Sequence, residues 1–299
     1  MTTLVAAAAY PLDFLADWQA YEAKLTRWVA EAAGQGAALL VFPEYGAMEL
    51  ASLGGAEVAA DLDRALAEVA GHAEAHWALN ERLARAHGVT ILAASVPVVT
   101  APGAVPVNRA ALFGPGGRIG HQDKVMMTRF EREQWHIAAG QGLSVFDTAV
   151  GRVGICICYD SEFPLIARAL CEAGAEILLV PSCTDSHAGF TRVRVGAMAR
   201  ALENQCVAIQ SPTVGLAAWC PAVDENWGRA AVYGPADRGW PDTGILAETG
   251  MNVPGWCLAE ISLDLVRDSR ADGGVMPFAH WPEQAMAVAH VTIAGRGTQ

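Results

Sequence analysis

The segment Val153-Gly154-Ile155-Cys156-Ile157-Cys158-Tyr159-Asp160 decides how this chain is read. An apolar run of strand character ends at a cysteine and turns polar at once; Phe163 to Ala173 then take helical spacing until Gly174 stops them. A second buried strand, Glu176 to Val180, follows, so the helix joins two strands as in a parallel crossover. Ligand sites of such folds gather beyond the strand ends, which makes Cys158 a candidate nucleophile. The helix starting near Phe163 offers a dipole and free N–H groups that favour thiolate over thiol. Most free cysteines are small buried hydrophobes, and Cys156, deeper in the run on the same strand face, is read as packing.

Upstream, the same alternation recurs. Leu4 to Tyr10 reads as a strand, Asp17 to Ala33 as a helix with Leu25, Trp28 and Val29 at helical spacing, and Ala37 to Phe42 as a buried strand. A long helical stretch from Asp61 to His87 ends at Gly88, and Val89 to Pro97 is the next strand. Arg109 to Phe113 and Arg118 to His121 flank Gly114-Pro115-Gly116-Gly117, the composition of a hairpin turn. Downstream, Val193 to Asn204 reads as a helix, Val207 to Ser211 and Trp256 to Ile261 as strands, and the tail after Leu263 lacks strong periodicity. Strands alternating with helices and no linker make this an α/β chain with one large core.

Two further strand ends carry polar groups. Glu44 follows Phe42-Pro43, where partial burial would raise a carboxyl pKa toward the range useful for proton transfer. Lys124 follows the hairpin at Asp123, and an ammonium beside a cysteine lowers the thiol pKa and stabilises an oxyanion. Of 20 basic residues only Lys24 and Lys124 are lysine; Lys24, on a periodic helix, is read as a solvated face residue.

Phe42-Pro43-Glu44, Asp123-Lys124 and Gly154-Ile155-Cys156-Ile157-Cys158-Tyr159-Asp160, in that order, resemble the three signature segments of the carbon-nitrogen hydrolase (nitrilase) superfamily. The resemblance spans roughly residues 4 to 265. It implies a four-layer αββα sandwich and a homodimer or larger homo-oligomer; the hydrolase domain is taken over 1–265, and the extension over 266–299 is either disordered or packed on a partner subunit. It also implies a cysteine nucleophile, Cys158, a general base and acid, Glu44, and an oxyanion-stabilising Lys124, with no metal or organic cofactor. Tyr159 would lend its backbone N–H. A second active-site glutamate precedes a glycine in such proteins; Glu133, seven positions before Gly140, fits, and Glu131 competes with it. Those two glutamates with Arg129 and Arg132 could equally form a charged loop face. Pro181-Ser182-Cys183 resembles the segment bordering the acyl pocket, so Ser182 and Cys183 are candidate substrate contacts, with core packing the alternative for Cys183; Trp135 is a candidate pocket residue, or equally a core or subunit contact; Arg200-Ala201-Leu202-Glu203-Asn204 resembles a structural helix end.

Cys-Tyr-Asp resembles the amidase branches, whereas nitrilases carry Cys-Trp-Glu at that point. A small aliphatic or amino-acid-derived amide is the expected substrate. N-carbamoyl compounds are the alternative, with Arg192 and Arg194 as a clamp; nitrile hydrolysis and a non-catalytic binding or assembly role stand behind it. His72 and His76 straddle Glu74 without the spacing of a zinc-binding helix and are read as surface residues. Cys156 and Cys158 lack a second ligand pair for a metal.

A formal net charge of −12 opposes phosphate backbones and anionic lipid, so no nucleic acid or membrane partner is expected. No run approaches membrane-helix length. Leu4 to Tyr10 lacks a basic segment before it and ends at Pro11, unlike a signal peptide. The 7 cysteines are odd in number and mostly inside apolar runs, which points to a reducing cytoplasm and not a disulfide framework.

Overall fold

The computed structural model describes residues 2–292. The strand Thr2–Pro11 lies at the centre of one sheet, parallel to Leu39–Val41 on one side and antiparallel to Gly255–Ser262 on the other. That sheet continues outward through Thr90–Leu92 to the hairpin of Val107–Gly114 and Gly117–Asp123, whose turn is Pro115-Gly116 as the glycine-rich composition anticipates. A second sheet holds Val207–Leu216, Ile177–Ser182 and Gly151–Ile155 in parallel, with Val145–Thr148 antiparallel at its edge. The two are linked where Tyr10 and Pro11 pair with Thr213 and Val214.

The period of two along Thr2–Pro11 explains the layering. Val5, Ala7 and Ala9 point into a core shared with Val153, Ile155, Leu179 and Ile209 of the second sheet. Ala6, Ala8 and Tyr10 point the other way, onto Tyr21, Leu25 and Trp28 of the helix Trp18–Gly34 and near Trp77 and Leu83 of Ala73–His87. Small residues on this strand let the layers approach closely. The second sheet is covered on its outside by Pro164–Glu172 and His187–Asn204, which bury Leu170, Val193 and Ala197. The result is the four-layer αββα sandwich.

Several local expectations need correction. The stretch from Asp61 to His87 is two helices, Leu62–Gly71 and Ala73–His87, because the backbone breaks step at His72. His76 is buried: its Nε2 meets the Ala94 carbonyl at 3.0 Å and its Nδ1 the Tyr21 hydroxyl at 2.7 Å, and burial pushes its pKa down to about 4. Lys24 is not solvated either. Its ammonium lies on Glu49, 2.7 Å from Asp13 and 4.4 Å from the centre of the Tyr10 ring, so a segment far along the chain supplies the partner that helix periodicity cannot reveal.

Beyond the expected boundary at 265, the helix Leu263–Asp272 runs on without a break and returns to the same chain, Ser269 accepting the Trp240 indole N–H at 2.8 Å. Phe278 then lies under the guanidinium groups of Arg168 and Arg270. The end of the expected extension, 293–299, falls outside the described residues. Among the described residues no helix is long and apolar enough to cross a membrane.

Candidate active site

Four chain segments deliver their polar residues to one place as they leave their strands. Glu44 follows Leu39–Val41, Lys124 follows Gly117–Asp123, Cys158 follows Gly151–Ile155, and Cys183 follows Ile177–Ser182. Together they line a cavity of about 500 Å³ with Tyr45, Phe130, Glu131, Trp135, Tyr159 and Glu162.

Cys158 opens a 3₁₀ turn, Cys158–Glu162, with φ +51°, a left-handed conformation that costs a non-glycine residue energy and tips the thiol out of the strand direction. Ser161 Oγ closes the turn on the Cys158 carbonyl at 2.6 Å, and Arg200 Nη1 reaches the Ser161 carbonyl at 3.1 Å, the structural role its helix-end motif suggested. Asp160 accepts the N–H of Ile157 at 3.1 Å and, across the site, those of Met126 at 2.7 Å and Val125 at 3.2 Å.

Lys124 is fixed at backbone level, donating its N–H to the Asn108 carbonyl at 2.9 Å and accepting the Gly140 N–H at 2.7 Å. A Cβ on Gly140 would meet the Asp123 carbonyl oxygen at 2.8 Å, so only glycine allows this approach. The ammonium donates to Glu44 at 2.7 Å and to both oxygens of Glu131 at 2.8 and 2.7 Å. Glu131 is held further by the Tyr45 hydroxyl at 2.8 Å and by the N–H and hydroxyl of Thr128. Glu44 accepts the Asn108 side-chain amide and the Cys183 N–H, both at 3.0 Å, and faces the Cys158 thiol.

The glutamate that this geometry brings to Lys124 is Glu131 and not the expected Glu133. Arg129–Glu133 is one short helix; Thr128 caps it and Glu131 reaches back, which turns Glu131 inward, while Glu133, half exposed, pairs with Arg129 at 2.8 Å. The spacing Thr128-x-x-Glu131 is a capping box legible in the sequence, and it was the signal that separates the two. Ser182 is buried but does not line the cavity; Cys183, Tyr159 and Trp135 do. Arg192 lines it, whereas Arg194 is engaged by Glu248 at 2.6 Å elsewhere. Tyr45, Asn108 and Asp160 are site residues to which sequence reasoning gave no role.

The electrostatics differ from the expected thiolate. Burial, reinforced by the Glu44 charge, pushes the Cys158 thiol well up, and Lys124 only partly opposes it. The resting sulfur is a thiol. Burial likewise lifts Glu44 to about 7 against the pull of Lys124. Burial would raise Glu131 too, but Lys124 and Thr128 outweigh it and hold it below the usual carboxylate range. Lys124, despite burial, is kept firmly protonated by the two carboxylates. A thiol facing a carboxylate of near-neutral pKa, with a fixed ammonium alongside, can pass its proton to that carboxylate as it attacks a carbonyl carbon.

Residues 4–271 match the family model for carbon-nitrogen hydrolases. The chain belongs to the carbon-nitrogen hydrolase family. It is 38% identical over 168 residues to the probable hydrolase YhcX of Bacillus subtilis, covering 56% of this chain and 33% of that protein. It is 33% identical over 143 residues to the deaminated glutathione amidase of Yersinia enterocolitica, covering 44% of this chain and 50% of that one. The chain thus spans between a third and a half of the length of these two relatives. Among solved structures, an amidase of the nitrilase superfamily from Nesterenkonia superposes with a TM-score of 0.61 at 25% identity, covering 90% of this chain and 95% of that one.

Proposed function

We propose that this carbon-nitrogen hydrolase is an enzyme that hydrolyses a small non-peptide amide to its acid and ammonia, with Cys158 as nucleophile, Glu44 as base and acid, and Lys124 as oxyanion partner. The observation that carries the reading is that Glu44 and Lys124, buried and 2.7 Å apart, share one cavity wall with the Cys158 thiol. Cys158 Sγ attacks the amide carbon as its proton moves to Glu44. The carbonyl oxygen gains charge beside the Lys124 ammonium and the Tyr159 N–H. Glu44 returns the proton to the nitrogen, the C–N bond breaks, ammonia leaves, and a thioester stays on Cys158. Water then gives a proton to Glu44 and adds to the thioester, and collapse releases the acid and restores the thiol. Glu131 positions Lys124 and offsets its charge without touching the reacting atoms.

Amide hydrolysis is favoured over nitrile hydrolysis by the Cys158-Tyr159-Asp160 sequence and by the amidase names of similar proteins. The test is ammonia release from a panel of short amides by the wild type and Cys158→Ala, with intact-mass analysis for an acyl adduct. Release that vanishes in the variant, with the adduct on Cys158, is expected. Equal release by both proteins rules the mechanism out, and activity confined to N-carbamoyl compounds or nitriles replaces the substrate class.

A further inference from the structure

The wall of the cavity beyond the Cys158, Glu44 and Lys124 group is unevenly charged. It carries the carboxylates of Glu162, Asp185, Asp224 and Glu225 against the guanidinium groups of Arg129 and Arg192. Arg129 is engaged through its Nε by Glu133, which is not part of the wall. Among the described residues Asp185, Asp224 and Glu225 have no ion-pair partner, and the chain as a whole is at −12.

Glu162 is the most informative of these. It ends the 3₁₀ turn that begins at Cys158, so one short backbone unit carries both the nucleophile and this carboxylate, and both line the same cavity. Its side chain is 21% exposed, and its nearest cation, Arg192 Nε, is 3.7 Å away, beyond direct hydrogen-bond reach. Among the described residues its carboxylate accepts no hydrogen bond. A partly buried carboxylate whose one cation stands off at 3.7 Å has room for a closer donor, and partial burial already pushes its pKa up.

We infer that this cavity selects amides bearing a positively charged group at the end remote from the scissile bond, an ω-ammonium aliphatic amide being the simplest, with Glu162 receiving the ammonium. The inference rests on the amidase reading and names the substrate class for the same site. An ammonium supplies the donors Glu162 lacks and gains from Asp185, Asp224 and Glu225 at the mouth; a substrate carboxylate in the same place meets like charge.

Three amides of similar length test this: 5-aminopentanamide, hexanamide and glutaramate, compared by kcat/KM for ammonia release. The expected order is cation, neutral, anion, with steps of about tenfold, the size of one screened charge contact. Glu162→Gln should reduce the cation-to-neutral ratio about tenfold, a ratio in which general damage to the enzyme cancels. Should that variant fail to fold, Asp224→Asn with Glu225→Gln, both on exposed positions, and a salt titration of the wild type read the same quantity, since added salt screens the mouth and must shrink the preference. Hydrolysis of hexanamide and glutaramate as efficient as that of 5-aminopentanamide overturns the inference and leaves the amidase reading standing. Silence on all three overturns both.

Discussion

The Asp160 carboxylate receives the Met126 N–H at 2.7 Å, and through that bond the strand end bearing Lys124 is tied to the turn bearing Cys158. Asp160 also accepts from Ile157, the residue before Cys158, so one side chain sets the spacing of two segments that are far apart in sequence. Asp160→Asn puts an amide donor against one of these N–H groups. It should lower stability by about 2 kcal/mol, the scale of a buried donor left unmet, and lower kcat at least tenfold. Chemical denaturation and steady-state ammonia release measure the two; unchanged kcat in a folded variant would show that the tie does not position the site.

Glu131 and Glu133 give a paired test of the corrected assignment. Glu131→Gln removes a charge that holds Lys124 in a buried group, and kcat should fall by about two orders of magnitude. Glu133→Gln breaks an exposed pair within one helix, worth about 0.3–0.5 kcal/mol, and should leave kcat within twofold. The opposite ranking would return the role to Glu133.

The raised Glu44 sets the acid limb of the pH profile. The base acts when deprotonated, and its pKa of about 7 means that kcat/KM rises with unit slope below pH 7 and levels above it. Because the Cys158 thiol lies well above its ordinary range, no second rise is expected between pH 7 and 9. A profile that instead climbs steadily to pH 9 would point to a free thiolate as the attacking species.

Lys24 offers a stability test away from the site. Its ammonium sits on Glu49, whose carboxyl burial lifts from 4.5 to about 7 while Lys24 pulls it down. Lys24→Met removes that pull and raises the Glu49 pKa further. Up to about pH 7 Glu49 is neutral in both folded proteins, so the substitution adds no charge penalty there; above that pH the folded wild type ionises and the folded variant resists, so the variant's deficit grows with pH. Urea denaturation should show a deficit at pH 8 that exceeds the one at pH 5 by up to about 1.4 kcal/mol, the worth of the one pH unit above the wild-type pKa. A deficit equal at both pH values would mean that Glu49 is indifferent to its lysine.

The strand and helix order and the three strand-end residues were legible because both depend on local pattern, whereas the four-layer arrangement came from the family resemblance. The short apolar run Leu4 to Tyr10 and the abrupt apolar-to-polar change at Glu44, Lys124 and Cys158 are visible in one dimension. The errors share a cause: each depended on a partner brought in by tertiary structure. Lys24 looks like a helix-face residue until Glu49 arrives from another segment, and His76 until Tyr21 and Ala94 do. The thiolate expectation counted the helix and the ammonium but not the burial or the neighbouring carboxylate. Glu131 is the exception, since its capping box was local and readable.

Tyr45 and Cys158, each just past a strand that helps build the site, both hold a left-handed backbone, at φ +52° and +51°. Such a conformation costs a side chain of this kind about 1–3 kcal/mol. Glycine would relieve it at either position, and would delete the thiol or the hydroxyl that touches Glu131. Any search for hardier variants by heat selection alone therefore runs downhill toward inert proteins at these two positions. A screen that keeps turnover as its second criterion is the one able to improve this molecule.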